Sequence, residues 1–565
     1  MRRAPHHAAA PRGRGQHLRH APGDPSERAD GRRHRSHQRA RHGHRGQRRD
    51  RGQGHPRDLR RPRAARDVDQ EHDRPLHGRV ERDGVGRLRD DAADRDHPAD
   101  HQLRDARSGL PGARRREREA RGEGGRRAQQ RARLRRLRRG GLLREPGPPA
   151  RGHGRSAGRG VGRGGGAVRP LAITGVGQVS PLGLGLEALR EAFADPEAAA
   201  KRAFTGEPEV LTREKFPEAH SAEVWGFDPN AHLGDKGHRN FDRLTKYLIV
   251  AAKLALEDAG VKKDGKFVGA LAPEQVGICS STAYGSLDSI TELNLVAELE
   301  DPRYINPARF PNTVINAAAG YVSIWEDLRA PNATIVDGNC GSIDAVLSCE
   351  THLAHRRADA FLVGGGDVIT EVLYLALRRL GAIAGGSAKW APGARDSQGL
   401  HLGEGAAYLL VEREAEAKAR GARIRARVLG YGTAFDPPKR QARLLHASSS
   451  AVTRAVRGAL SDAKLEAKDV DVVCSAAAGL RPFDGAELSG LSEVLGGVPV
   501  AAPKALWGES FSGSAALGMA SAVTWIEGAT PGPMVAASEA PSKVKNVVVT
   551  SVGYYGNVSA VVIGA

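Results

Sequence analysis

The chain has 565 residues, a formal net charge of +20 and an aromatic content of 4%, a balance that points first toward nucleic-acid binding. The charge is uneven: residues 1–168 hold about 46 of the 86 Lys and Arg but only about 21 of the 66 Asp and Glu. The rest of the chain is slightly acidic, which argues against a nucleic-acid binder built on the folded part.

The head is unusual in a second way. Before Ile173 there is no Lys, Asn, Ile, Phe, Tyr, Trp, Cys or Thr. Such a segment cannot bury enough apolar surface to offset its chain entropy. It also lacks the Lys and aromatic groups that nucleic-acid arms use for contact and stacking, and its His residues show no paired metal-ligand spacing. Lys, Asn, Ile, Phe and Tyr share AT-rich codons, so their joint absence reads as GC-rich DNA translated in an unselected frame. Residues 1–168 are therefore expected to be a mis-annotated extension or a disordered tail, with the native start near Val168. No apolar segment behind Met1 suggests a signal peptide, and no apolar run approaches the ~18 residues of a membrane span. Four cysteines, Cys279, Cys340, Cys349 and Cys474, without C-x-x-C pairs fit a reducing cytoplasm rather than a disulfide frame.

From Leu171 onward, short apolar segments alternate with amphipathic ones. Strands are predicted at 171–175, 275–280, 333–337, 359–365 and 405–411, then at 423–430, 470–474, 498–502, 546–552 and 558–563. Helices are predicted at 242–260, 343–357, 447–463, 484–495 and 513–527. In the first helix Leu244, Tyr247, Leu248, Ala251, Leu254 and Leu256 recur at helical spacing and form a core face. The alternation implies parallel strands covered by helices. Both strand sets run strand-helix-strand and end in a hairpin-like pair, as a duplicated α/β architecture would.

Gly175-Val176-Gly177 follows a strand but lacks the third Gly and the distant acid of a dinucleotide fingerprint; a tight strand-to-loop turn is expected there. Gly508-Glu509-Ser510-Phe511-Ser512-Gly513 has Ser at the fifth place of a hydrolase elbow and is set aside. The Gly364-Gly365-Gly366 run is expected to allow close backbone packing at a strand end. Ala330–Val346 is more informative: a strand runs into small residues and then a helix. This presents Cys340 near a helix N-terminus, where the dipole favours a thiolate. Cys340 is thus either a nucleophile or a small buried residue in a tight turn.

Four segments carry a specific resemblance. Leu171–Gly185 (LAITGVGQVSPLGLG), Phe310–Asn332 (FPNTVINAAAGYVSIWEDLRAPN), Asp359–Asp367 (DAFLVGGGD) and Ala394–Val411 (ARDSQGLHLGEGAAYLLV) occur in the order of the β-ketoacyl-acyl-carrier-protein synthases of the thiolase superfamily. In the last block Leu400 stands where Phe is usual. The resemblance implies a thiolase-like α/β fold, with duplicated halves and mixed sheets in an αβαβα layering. The N-terminal half would span 169–420 and the C-terminal half 421–565. It also implies acyl groups delivered on a phosphopantetheinyl acyl-carrier protein, with no other cofactor and no metal.

The family's chemistry uses a Cys to hold an acyl thioester and two His to promote decarboxylation and stabilise the enolate. Laid on this chain, the nucleophile position falls on Asn339, with Cys340 one residue late. The first His position falls on Ala476, eight residues before Asp484. The second falls on Glu509 in Lys504-Ala505-Leu506-Trp507-Gly508-Glu509, where only Lys504 is kept. This pattern of loss resembles the chain-length factor, the non-condensing β subunit of type II polyketide ketosynthases, as do Val470–Val500 and Ala502–Ser521. That family commonly carries Gln at the nucleophile position, and Asn339 keeps the carboxamide.

Three readings follow. The first is a subunit that pairs with a catalytic ketosynthase α-type partner and shapes its acyl tunnel. The second is a divergent, self-sufficient acyltransferase using Cys340. The third, an Arg-rich nucleic-acid binder on an inert fold, is opposed by the charge partition. Neither a nucleic-acid nor a membrane partner is expected, and Cys340 is expected to face the packed side of its turn.

Overall fold

The computed structural model describes residues 170–565, except 387, 439–444 and 536–537. The Arg-rich head and the expected start at Val168 lie outside the described residues. Ten strands form the main sheet: β1 (Leu171–Ser180), β2 (Val276–Ser281), β3 (Asn332–Ile335), β4 (Ala360–Asp367) and β5 (Gly405–Arg413), followed by β6 (Ala426–Phe435), β7 (Val472–Cys474), β8 (Val500–Ala501), β9 (Asn546–Val552) and β10 (Asn557–Gly564). A two-residue strand, Gly183–Leu184, adds to β1.

The first five strands lie in the order β3-β2-β4-β5-β1 and the second five in the order β6-β10-β9-β7-β8. In each half the first strand pairs antiparallel with the last, and the other neighbours repeat in kind. The halves meet where Leu171–Ile173 pair antiparallel with Ala426–Val428. Two helices lie between them, α2 (Gly341–Ala354) and α5 (Ser512–Ile526), within one apolar core that draws on both halves. Helix α1 (Arg243–Asp258) covers the outer face of the first half. Helices α3 (Ser449–Ala463) and α4 (Arg481–Leu495) cover the second. The result is the five-layer αβαβα thiolase-like arrangement.

A local rule repeats in both halves. β1 bulges between Ile173 and Gly175, and β6 bulges between Val428 and Gly430. After each bulge comes a Gly-x-Gly facing the small side of a helix. A Cβ on Gly177 would lie 2.2 Å from the Ala251 carbonyl of α1, and one on Gly432 would lie 2.2 Å from the Ala455 carbonyl of α3. Gly175-Val176-Gly177 is therefore not the expected turn. It lies inside a strand of ten residues, and the glycines let a helix backbone approach more closely than any side chain would allow.

Helix entry is set by side-chain caps: Asp242 accepts from the Thr245 amide at the start of α1, and Ser448 from the Ala451 amide at the start of α3. The two ends of the sheet differ. Among the described residues β3 is terminal, with no strand beyond it. The outer edge of β8 is occupied by chain: the Val535 amide donates to the Val500 carbonyl (2.8 Å) and the Ala502 amide to the Pro533 carbonyl (2.7 Å). Among the described residues no helix is long and apolar enough to cross a membrane, and no cluster of three or more His, Cys, Asp or Glu is placed to hold a metal ion.

Gly432→Ala is expected to destabilise the chain by roughly 1–3 kcal/mol or more, since the obstructing atoms are backbone. Gly458→Ala, where the added carbon meets only Gly432 Cα at 3.4 Å, should be neutral or stabilising because Ala favours the helix. Paired urea denaturation curves check both outcomes.

Candidate active site

The turn Gly338–Cys340 joins the end of β3 to α2. Gly338 supplies a left-handed φ of +55°, and the Cys340 amide closes the turn onto the Asp337 carbonyl (3.1 Å). Asn339 is 3% exposed. Its carbonyl accepts from Ser551 Oγ (2.7 Å), and its Nδ2 donates to Glu509 Oε2 (3.4 Å). Cys340 is fully buried and its Sγ lies 3.4 Å from the Ser551 carbonyl. The thiolate-favouring environment expected from the helix N-terminus is overturned here. Burial first, then Asp344 and Asp337, push the thiol well above its ordinary range.

Glu509 is the hub of the site. It is 1% exposed and sits after Gly508, whose φ is +77°. Its backbone is fixed against the segment before β5: its amide donates to the His401 carbonyl and its carbonyl accepts from the Gly403 amide, both at 2.9 Å. Oε2 accepts from Lys504 Nζ (2.8 Å) and, at 3.4 Å, from the Tyr554 hydroxyl. Oε1 accepts from the Phe511 amide (2.7 Å) and Ser514 Oγ (3.1 Å). Phe511 takes a φ of +51°, a strained position for a bulky residue. It is held by edge-to-face packing on Tyr284 (4.9 Å) and Tyr554 (6.2 Å).

Ala476 lines a small cavity together with Glu509 and Tyr554 and brings only a methyl group. Its amide donates to Glu487 Oε1 (2.7 Å), which also accepts from Thr550 Oγ1. Burial pushes the Glu487 carboxyl up to about 7. Asp484 accepts from the Gly393, Ala478 and Gly479 amides, and burial raises it nonetheless. What remains between Ala476, Glu487, Glu509 and Tyr554 is a cavity of about 10 Å³, room for one water at most. Beyond Asp484 an open groove of about 1050 Å³ is lined by Arg395, Arg481, Leu488, Met534 and Val535. Asp484 borders both spaces.

The structure thus brings Asn339, Lys504, Ala476 and Glu509 into one neighbourhood, while Cys340 points away into the core. Sequence reasoning missed Ser551, Tyr554, Glu487 and the aromatic pair Tyr284 and Phe511. The Gly553–Gly556 turn between β9 and β10 was the one local signal for Tyr554; nothing in the spacing links it to Glu509. Chemically, the arrangement supplies hydrogen bonds and one ion pair but no accessible nucleophile and no imidazole.

The five-layer architecture and the position of this turn define a thiolase-like protein. Residues 168–417 match the family described as β-ketoacyl synthase, N-terminal domain, and residues 425–536 match β-ketoacyl synthase, C-terminal domain. A putative polyketide β-ketoacyl synthase 2 of Streptomyces coelicolor is 31% identical over 381 residues, covering 65% of this chain and 85% of that protein. The tetracenomycin polyketide synthase ketoacyl synthase β subunit of Streptomyces glaucescens is 29% identical, covering 65% and 88%. A 3-oxoacyl-[acyl-carrier-protein] synthase 2 of Coxiella burnetii is 32% identical, but the match spans 47% of this chain and 64% of that protein. Among solved structures, the ishigamide ketosynthase/chain length factor superposes with a TM-score of 0.60 at 24% identity, covering 70% of this chain and 99% of that one. A β-ketoacyl synthase from Burkholderia phymatum gives 0.61 at 22%, with the same coverage. The chain belongs to the β-ketoacyl synthase family.

Two predictions follow from the site's electrostatics. Lys504→Met strands the Glu509 carboxylate in the interior and should cost about 3–5 kcal/mol; adding Glu509→Gln should recover most of it, as a double-mutant cycle by denaturation will read. Glu487 is raised in the fold from 4.5 to about 7, so its contribution is fully present below pH 4.5 and is lost as pH rises through 7. Glu487→Gln should therefore gain on the wild type between pH 5 and 8, by on the order of 3 kcal/mol, in melts across that range.

Proposed function

We propose that this chain is a non-condensing subunit of chain-length-factor type, pairing in the cytoplasm with a catalytic ketosynthase and shaping its acyl tunnel. It would serve fatty acid or polyketide elongation on acyl groups carried by phosphopantetheinyl acyl-carrier protein. One observation carries this reading: the nucleophile position holds Asn339, hydrogen-bonded to a Glu509 that is ion-paired with Lys504 and that borders a cavity with room for a single water. A carboxamide cannot hold a thioester. The loss of one stabilising donor typically costs about 10²–10³ in rate, and both imidazole positions have changed here. Relatives and structural neighbours that include a ketoacyl synthase β subunit and a ketosynthase/chain length factor are consistent with it. So is the surface: exposed apolar side chains stand at Ile324, Val336 and Leu347, directly after the terminal strand β3 or on helices that contact it.

The reading that uses Cys340 as nucleophile meets two obstacles, full burial and a thiol pushed up by it. Intact-mass analysis after incubation with acyl-carrier thioesters should detect no acyl adduct, and Cys340→Ala should leave the paired enzyme active. Co-expression with a catalytic ketosynthase of α type should retain that protein. A stoichiometric adduct mapped to Cys340, or a self-sufficient homodimer that retains no ketosynthase, would overturn the proposal.

A further inference from the structure

Apart from the Asn339–Glu509 site, with which it shares no lining residue, a pocket of about 290 Å³ opens where the end of β1 meets the segment before α1. The turn Ser180–Leu184 forms part of its wall. Gln178 holds that turn, its Nε2 donating to the Gly183 (3.2 Å) and Gly185 (2.7 Å) carbonyls. Trp225, Phe227, His232 and Arg202 supply the side chains that line the rest.

The rings are fixed by the fold itself. Trp225 Nε1 donates to the Ala203 carbonyl (2.9 Å). A Cβ on Gly206 would lie 2.2 Å from the indole ring, so backbone packs directly on it. Phe227 meets Tyr247 of α1 edge-on (4.9 Å), and His232 stacks on Phe227 (5.7 Å, 14° between ring planes). Tyr247 donates to Glu404, which also accepts from the Val224 amide (2.8 Å). Rings anchored in this way lose little freedom when a ligand enters.

Two donors at the pocket lack acceptors. Arg202, exposed in the last turn of the helix Pro196–Thr205, has no hydrogen-bond or ion-pair partner among the described residues. Ser180 is fully buried; its Oγ accepts from the Leu182 amide (3.3 Å), and nothing among the described residues accepts its proton. No Asp or Glu lines the pocket. Flat rings beside an unpaired guanidinium suit a ligand with a planar apolar body and one anionic end. A nucleotide would need further partners for its sugar and base edges, and the Trp225 indole N–H is already taken. We propose that this pocket binds a small aromatic carboxylate of one or two rings, the rings against Trp225 and Phe227 and the carboxylate on Arg202. This site does not depend on the pairing function proposed above.

Titration calorimetry on the full chain would compare 2-naphthoate, the uncharged 2-naphthalenemethanol and the linear anion octanoate. The wild type, Arg202→Met and Trp225→Leu would each be titrated. The wild type should bind 2-naphthoate saturably, and octanoate roughly tenfold more weakly for want of ring contacts. Arg202→Met should weaken 2-naphthoate roughly tenfold, as loss of a charge-assisted bond does, and leave 2-naphthalenemethanol within about twofold. Trp225→Leu should weaken both ring compounds. Since Trp225 is packed on Gly206, the exposed Arg202 and the choice of probe carry the test without that variant. Three results overturn the proposal: no saturable binding of 2-naphthoate at millimolar concentration, octanoate bound as tightly, or 2-naphthoate bound equally well by Arg202→Met.

Discussion

A carboxylate held away from water must find a cation and several donors, and Glu509 finds them within its own turn and the strands beside it. Lys504, five residues back, supplies the charge. The Phe511 amide and Ser514 Oγ supply donors to the other oxygen. Asn339 and Tyr554 reach it from β-strand ends distant in sequence. The left-handed Phe511, through its amide, and the Asn339 turn, through its carboxamide, are both tied to this one group. An imidazole in the same place would be a titratable participant in chemistry; a paired carboxylate is a fastening.

The scaffold that permits this is equally constrained. The outer layers sit close to the sheet because α1 and α3 approach strands at glycine, Gly175 and Gly177 in the first half and Gly430 and Gly432 in the second. With the outer helices seated so closely, α2 and α5 are enclosed between the half-sheets, and every residue of α5 from Ser512 to Trp525 is buried. Polar groups in such a layer must bond internally. Ser281, Ser342 and Ser512 do so as a linked set of hydroxyls and carbonyls. Asp367 joins the loop after β2 to the first turn of α5 by accepting from the Thr282 hydroxyl and the Ala283 and Ser512 amides.

The sequence made the ten strands and five core helices legible, because both faces of most strands are covered and their apolar runs stand out. β6 runs to Phe435, five residues beyond the predicted segment, because its second half alternates between covered and open positions and carries Gly430 and Gly432, which weaken a strand signal. The helix Ala317–Trp325 went unrecognised since Ala-Ala-Ala-Gly-Tyr-Val-Ser-Ile-Trp has no clear polar face. At the site, Asn339, Ala476, Lys504 and Glu509 could be located through resemblance and spacing. That Glu509 would recruit Lys504 rather than remain open to a ligand could not, because the pairing depends on the positive φ of Gly508 and on a cavity too small for anything else. The Gly-x-Gly of β1 was misassigned to a turn for a related reason: its partners are the Ala251 and Ala255 carbonyls of a helix distant in sequence, and no local pattern announces such a contact.

The unequal ends of the sheet have a consequence for how many chains can join. The edge at β8 is already taken by Met534 and its neighbours, with Ala501 bridged to Met534 and the Val500 and Ala502 backbone groups bonded. Among the described residues only the β3 end has no strand or bonded segment along it. A chain with one adhesive edge and one capped edge behaves as a chain terminator: association through the open edge consumes it, and nothing is left to extend. Strand-to-strand stacking of copies therefore has no second described edge from which to continue.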